Sequence, residues 1–398
     1  MADAPNETWI TGIGIVSCLG EGIDAHWQRL QEARLGAPAA EYAPYLVHPL
    51  VALDFDKQIP KKGDQRQMEA WQRIGCYAAG LALDSAGVKG KADLLGIMDM
   101  IVAAGGGERD LAVDTAILAG VPKAENPSVF VNERLMNDLR PTLFLAQLSN
   151  LMAGNISIVH GVIGSSRTFM GEESAGVDAV RIAMSRIAAG QSKIALVGGA
   201  YNSERWDIVQ HLVMGGVLRH GESMGVWERA ADGGGMELGT IGAFLVLEER
   251  AHAEARGAKP WARITAVHSD RTRRKPGDVD AALMRLWNKI APQIKPDEVA
   301  VISGATGIEP ATREERDFLS RQGALAVRAT GTHLGQALEP QFPINVALAA
   351  AALDHGQLFP ACDRSGFEKP MDGKLSQIVV TSVGLWRGEA VALVEAVR

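Results

Sequence analysis

The residues with chemistry to offer are a pair of carboxylates, three scattered thiols and a few imidazoles. Glu172 and Glu173 lead into residues 174–189, SAGVDAVRIAMSRIAA, whose apolar spacing predicts a helix closed by Gly190. A carboxylate at that point faces unbonded backbone N–H groups and the positive end of the helix dipole, so it reads first as a capping acid. Cys18, Cys76 and Cys362 are odd in number, far apart and free of CxxC or Cys/His metal spacing. They read as small buried hydrophobes of a reducing compartment, and no metal is expected. His160 and His268 fall in strand-like segments and read as packing residues. His333, in the stretch TGTHLG, is weighed between a proton-transfer role and a structural one. The glycines at 105–107 and 233–235 lack the GxGxxG or Lys/Thr context of a phosphate cradle and read as close backbone approaches. The run TREERDF at 312–318 reads as a solvated helix face.

Apolar segments supply the frame for these residues. Residues 9–16, 100–107, 193–200, 242–248, 262–268, 298–304, 377–383 and 389–394 predict strands, mostly apolar throughout, as in sheets covered on both faces. ISIV at 156–159 predicts a further short strand. Helical spacing appears over 23–34, 71–86, 142–152, 174–189 and 281–292. Strands and helices alternate, which predicts an α/β protein. ITGIG near the start and RITAV past the midpoint each open a strand–helix series, a coarse internal symmetry. Residues 37–63 and 269–279 are the irregular stretches.

Composition narrows the function classes. The chain has 398 residues, enough to bury a sizeable core without disulfide or metal staples. At 47% hydrophobic and 22% charged it is an ordinary globular chain, not a disordered or fibrous one. A net charge of −7, with no basic stripe and only 5% aromatics, argues against a nucleic-acid partner. No apolar run is long enough for a membrane span and no signal peptide is recognised, so a cytoplasmic protein is expected.

Four segments resemble the β-ketoacyl-acyl-carrier-protein synthases, condensing enzymes of the thiolase fold, over nearly the whole chain. ITGIGIVSCLG at 10–20 is similar to the family's opening VTGxGxVSPLG. PTLFLAQLSNLMAG at 141–154 resembles the helix along the dimer interface, and GQSKIALVGG at 190–199 the strand GxxDxxxxGG. MELGTIGAFLVLEERAHAEAR at 236–256 resembles LGEGAGxLVLEExxHAxxR and is the most specific of the four. The resemblance implies a five-layered αβαβα fold of two related halves, 1–250 with the nucleophile elbow and 251–398 with the histidine motifs.

The same resemblance locates the family's chemistry, and each position has changed. The nucleophilic Cys lies nine residues after the Gly of the elbow and 17 before the helix-ending Gly; from Gly164 and from Gly190 both counts reach Glu173. The first His of HGTGT is replaced by Ser303 in SGATG. In VRATGTHLG, Val327 takes the place of the Lys and Thr332 that of the second His, with His333 displaced by one residue. GFGGTN becomes GLWRGE at 384–389. Acyl transfer to Glu would give a reactive anhydride instead of a storable thioester, and members that act as a unit lose function together. The resemblance therefore implies a catalytically deficient partner subunit, like a chain-length factor. Its counterpart would be a Cys-containing synthase, and its substrate an acyl chain on the phosphopantetheine arm of an acyl carrier protein, with no cofactor of its own. Two alternatives are carried: a malonyl-carrier decarboxylase with a reworked site, and a homodimeric acyl or carrier binder. On the first reading Glu173 fills and closes the acyl site, with Arg167 or Arg387 as candidate partners.

Overall fold

The computed structural model describes residues 5–397. Its strands are β1 (Thr8–Ser17), β2 (Asp99–Ala103), β3 (Ser166–Phe169), β4 (Ile194–Tyr201), β5 (Ile241–Glu249), β6 (Ala262–Asp270), β7 (Val299–Ser303), β8 (Ala326–Ala329), β9 (Gln377–Val383) and β10 (Glu389–Glu395). The principal helices are α1 (Gly22–Gln31), α2 (Ala70–Ser85), α3 (Leu111–Gly120), α4 (Pro127–Asp138), α5 (Leu151–His160), α6 (Glu172–Ala188), α7 (Trp206–Met214), α8 (Asp278–Ile290), α9 (Ala311–Ser320) and α10 (Gln341–His355).

The strands hydrogen-bond in the order β8-β7-β9-β10-β6-β1-β5-β4-β2-β3. From each edge inward the same sequence of events occurs. In β1–β5 the order is third, second, fourth, fifth, first; β6–β10 repeat it. The directions repeat too. β2 is parallel to β3 and β4, as β7 is to β8 and β9, and the remaining neighbours run antiparallel. The two series meet at β1 and β6, from Thr8 opposite Ile264 to Ile10 opposite Ala262.

Helices cover both faces of each series, as fully apolar strands require. α2 lies outside β1, β4 and β5, and α8 outside β6 and β10. α6 and α10 lie between the series and touch strands of both. The layers are thus α, β, α, β, α, the thiolase-like arrangement. Every residue of α10 from Gln341 to Leu353 is buried, so it has no polar face and no helical period to read. Gly12 and Gly14 of β1 are needed for close packing: a Cβ on them would stand 2.4 Å from the carbonyl of Ala82 and 2.1 Å from that of Ala78.

Three expectations need correction. ISIV is not a strand but the body of α5, and His160 is its last residue; its Nε2 lies 2.8 Å from the carbonyl of Cys76. β-branched residues favour strands only weakly, and packing of α5 on α2 decides the matter. The helix expected over 142–152 is a single turn, Leu143–Ala146, followed by α5. TREERDF in α9 is not all solvated, because Glu315 and Phe318 are buried. α3, α4, α7, α10, β3 and β8 were not anticipated.

Candidate functional site

The start of α6 is the centre of the site. The chain enters it through Gly171 at φ 113° and Glu172 at φ 53°, left-handed backbone that is strained for a glutamate. This turn carries Glu173 inward, where it is 2% exposed. Its Oε2 accepts the Leu385 N–H at 3.0 Å, while its Oε1 has no partner. Burial pushes the carboxyl up to about 7, against the pull of the Leu385 and Glu173 N–H groups, with the Glu172 charge adding to the rise. The carboxylate therefore sits on a backbone donor of the 384–388 loop and on the N-terminal end of its own helix. These are the features that hold an oxyanion.

A second buried acid stands beside it. Glu339 precedes α10, and burial, then the Glu173 and Glu172 charges, push its carboxyl up to about 8. It fits because Gly105 and Gly176 have no side chains. A Cβ on Gly105 would stand 2.6 Å from Glu339 Oε1, and one on Gly176 2.2 Å from the Glu339 carbonyl. Sequence reasoning missed Glu339. The available signal was that it is the sole charged residue between Arg328 and Asp354, apart from His333. Glu172, Glu339, Gly105, Tyr201, Leu385 and Trp386 line a cavity of about 480 Å³.

The other expected residues are held elsewhere. Ser303, at the end of β7, donates to Glu315 Oε1 at 2.8 Å and accepts the Ala305 N–H at 3.0 Å. Thr381 donates to the same Glu315 oxygen at 2.5 Å. Thr332 accepts the Val226 N–H through its Oγ1 at 3.1 Å. His333 turns toward the N-terminal segment, where its Nδ1 lies 2.9 Å from the Arg34 carbonyl and its ring meets Phe359 edge-on at 6.0 Å. Burial pulls its imidazolium down to about 4, so it is a neutral, packed ring at pH 7. Val327 is buried in β8. Glu173 accepts from the 384–388 loop, whereas the hydrogen bonds of Ser303, Thr332 and His333 run to other elements.

Cations are likewise arranged differently from expectation. Arg167 is exposed on β3. The Arg387 charge acts on Glu172, and the cation whose charge reaches Glu173 is Arg274. Arg274 also ties the loop down, donating to the Gly384 carbonyl at 2.5 Å and pairing with Glu389 at 3.1 Å. Behind the former histidine loops a buried guanidinium, Arg229, donates to the carbonyls of Thr306 and Gly331 at 3.3 and 3.2 Å. It pairs with Glu237 at 3.2 Å, which in turn meets His48 Nε2 at 2.8 Å. Both loops are thus fixed to one charged hub. Among the described residues no group of three or more His, Cys, Asp or Glu is placed to hold a metal ion. No helix among them is long and apolar enough to cross a membrane.

Comparison with known proteins agrees with this architecture. The family described as Beta-ketoacyl synthase, N-terminal domain, matches residues 6–253. The 3-oxoacyl-[acyl-carrier-protein] synthase 2 of Vibrio harveyi is 27% identical over 272 residues, which is 64% of this chain; the chain spans only 60% of that relative's length. The tetracenomycin polyketide synthase ketoacyl synthase beta subunit of Streptomyces glaucescens is 26% identical over 370 residues, 88% of this chain and 86% of that protein. Among solved structures, the ishigamide ketosynthase/chain length factor superposes with a TM-score of 0.80 at 18% identity, covering 99% of this chain and 100% of that one.

Proposed function

The chain belongs to the β-ketoacyl synthase family, and from that premise we propose that it is a non-catalytic, chain-length-factor-like subunit of a heterodimeric condensing enzyme. One observation carries the reading: a buried glutamate stands at the head of α6, with its carboxylate already bonded to the Leu385 N–H at 3.0 Å. That carboxylate fills the position an acyl thioester oxygen would need. The hydroxyls and imidazole that stand at the other family positions are committed to Glu315, Val226 and Arg34. The likeness to the tetracenomycin beta subunit, across most of both chains, supports the same reading.

The surface supports a partner. Phe144, Ile158, Ile163 and Met170 are 72%, 71%, 68% and 67% exposed. Ile163 and Met170 flank β3, an edge strand whose outer side is unpaired, and Ile158 lies on α5, which packs against it. Monomeric proteins rarely leave such a patch bare. α3 and α4 carry exposed Leu118 and Met136 and contain no buried residue, so they too await a cover. The occupant we propose is a Cys-containing synthase that carries out condensation on acyl chains delivered by acyl carrier protein. Three unpaired cysteines suit the reducing cytoplasm where such assemblies work. The phosphopantetheine arm belongs to the carrier, and we assign no cofactor to this chain.

The test is co-purification of the chain with a Cys-containing synthase from the same cell, followed by intact-mass analysis of products on malonyl- and acyl-carrier protein. The expected result is no acylation and no carbon dioxide release from the chain alone, with condensation appearing in the complex. Decarboxylation of malonyl-carrier by the isolated chain, lost in Glu173→Ala, would overturn the proposal.

A further inference from the structure

A smaller cavity, of about 230 Å³, lies between α6 and the strands β6, β9 and β10. Its floor is a row of residues set opposite one another, Ser382 of β9, Ala390 of β10 and Ser269 of β6. Opposed residues of antiparallel strands share a face of the sheet. Here it is the face turned to α6 and α10, because Val380, Ala392 and Val267, two residues further along each strand, pack in the core with Val177 and Val180 of α6. The inner face of β9 thus reads Ile378, Val380, Ser382, and the hydroxyl arrives where the cavity begins. Ser382 is 6% exposed, yet its side chain has no hydrogen bond among the described residues. It is not among their sealed, unpartnered atoms either, so its Oγ opens on the cavity that it lines. Polar groups this deeply buried are nearly always partnered, and the partner of this one must come from outside the chain.

The charge at the mouth is set by Arg271. The acids of the wall are matched: Asp178 pairs with Arg181 at 2.8 Å, Asp270 with Arg285 at 2.6 Å and Glu389 with Arg274 at 3.1 Å. Arg271 is exposed and its guanidinium is in no ion pair among the described residues; its charge acts on Glu172 less than those of Arg387 and Arg274 do. We infer that this cavity binds a short-chain monocarboxylate that carries a second oxygen at its far end. A guanidinium takes a carboxylate through two parallel N–H···O bonds, and Ser269, two residues before Arg271, has a free hydroxyl at the same end. A dianion fits less well beside three carboxylates, even matched ones. The far oxygen answers Ser382. Ser269 and Ser382 are two strand spacings apart, about 9.5 Å. Two hydrogen bonds of about 2.8 Å, rising at an angle from the floor, leave roughly 4–6 Å between the ligand's oxygens, the reach of a chain of about three or four carbons. Ala390 beneath and Val177 above are the apolar surfaces for those carbons. The inference rests on this cavity alone and does not need the partner-subunit reading.

Calorimetric titration of the intact protein at pH 7 with three probes tests it. The probes are 4-hydroxybutyrate (carboxylate and far hydroxyl), butyrate (carboxylate only) and 1,4-butanediol (no carboxylate). 4-Hydroxybutyrate should bind best, butyrate more weakly, and butanediol not at all. Arg271→Gln should weaken both carboxylates about tenfold or more, the worth of one charged hydrogen bond. Arg273→Gln, exposed on the same segment but outside the cavity wall, should leave both unchanged. Ser382→Ala should bring 4-hydroxybutyrate down to the level of butyrate and leave the latter unchanged. Arg271 is exposed, so its variant folds and keeps the test open should Ser382→Ala fail to fold. Absence of binding by either carboxylate, equal binding of butanediol, indifference to Arg271→Gln, or an equal loss in Arg273→Gln would each overturn the inference. The condensation assay uses none of these probes, so failure here leaves the partner-subunit reading to its own test.

Discussion

Replacing Glu339 by glutamine should remove much of the pH dependence of this protein's stability. In the unfolded chain a glutamic acid loses its proton near 4.5, whereas in the fold burial and the neighbouring charges hold Glu339 protonated up to about 8. Between those values the folded state binds more protons than the unfolded state, so stability falls as the pH rises. The contribution is fully present below about 4.5 and is lost as the pH rises through about 8. A difference of roughly 3.5 units corresponds to on the order of 5 kcal/mol. Glu173, held up to about 7, acts in the same direction. Part of the Glu339 rise comes from the Glu173 charge, so the two are not summed as separate terms. Glutamine has the shape of the neutral acid and no proton to lose. The variant should match the parent near pH 5 and exceed it at pH 9, by roughly 5–10 °C in melting temperature for a chain of this size. Scanning calorimetry of both proteins from pH 5 to 9 is the assay. Parallel melting curves across that range would refute the assignment of Glu339 as a buried acid with a raised proton affinity.

Three further outcomes follow from the geometry. Glu173→Cys should not restore independent condensation, because Ser303, Thr332 and His333 are bonded elsewhere; intact-mass assay of condensation products should stay at background. Ser303→Ala takes one donor from the fully buried Glu315 and the acceptor from the Ala305 N–H, so it should cost about 1–3 kcal/mol in denaturant unfolding while leaving partner-supported condensation intact. Ile163→Asp combined with Met170→Asp should leave the melting temperature of the isolated chain within about 1–2 °C, since both side chains are exposed, yet abolish co-purification with a synthase partner.

The parts of the fold that were legible in sequence are those where local pattern and tertiary demand agree. β9 was readable to the residue, because QIVVTSV is rich in β-branched side chains and buried throughout. The start of α6 was readable because Gly164, Gly190 and the family elbow give independent counts to Glu173. α10 was not, because burial on all sides erases the helical period. Glu339 escaped because its burial is produced by absent side chains at Gly105 and Gly176, which lie about 230 and 160 residues away in sequence. Ser303 ends a strand that the apolar run announced, but its partner Glu315 was hidden in a run of charges that looked wholly solvated.

The complete burial of α10 also dictates how the protein must be made. Residues 8–249 emerge from the ribosome with one face of their sheet lined by apolar side chains such as Ile13, Val197 and Leu245. α6 covers β2 and β4 on that face from within the series, but the helix that completes the cover over β5 and β1 begins at Gln341, about 90 residues later. At roughly 5–20 residues per second, the part of the face over β1 and β5 waits on the order of 5–20 s for its cover. Neither half is a self-sufficient folding unit, so nascent chains of the first series are natural clients for a holding chaperone. Expressed alone, that series should accumulate as aggregate until a chain bearing residues 341–353 is supplied.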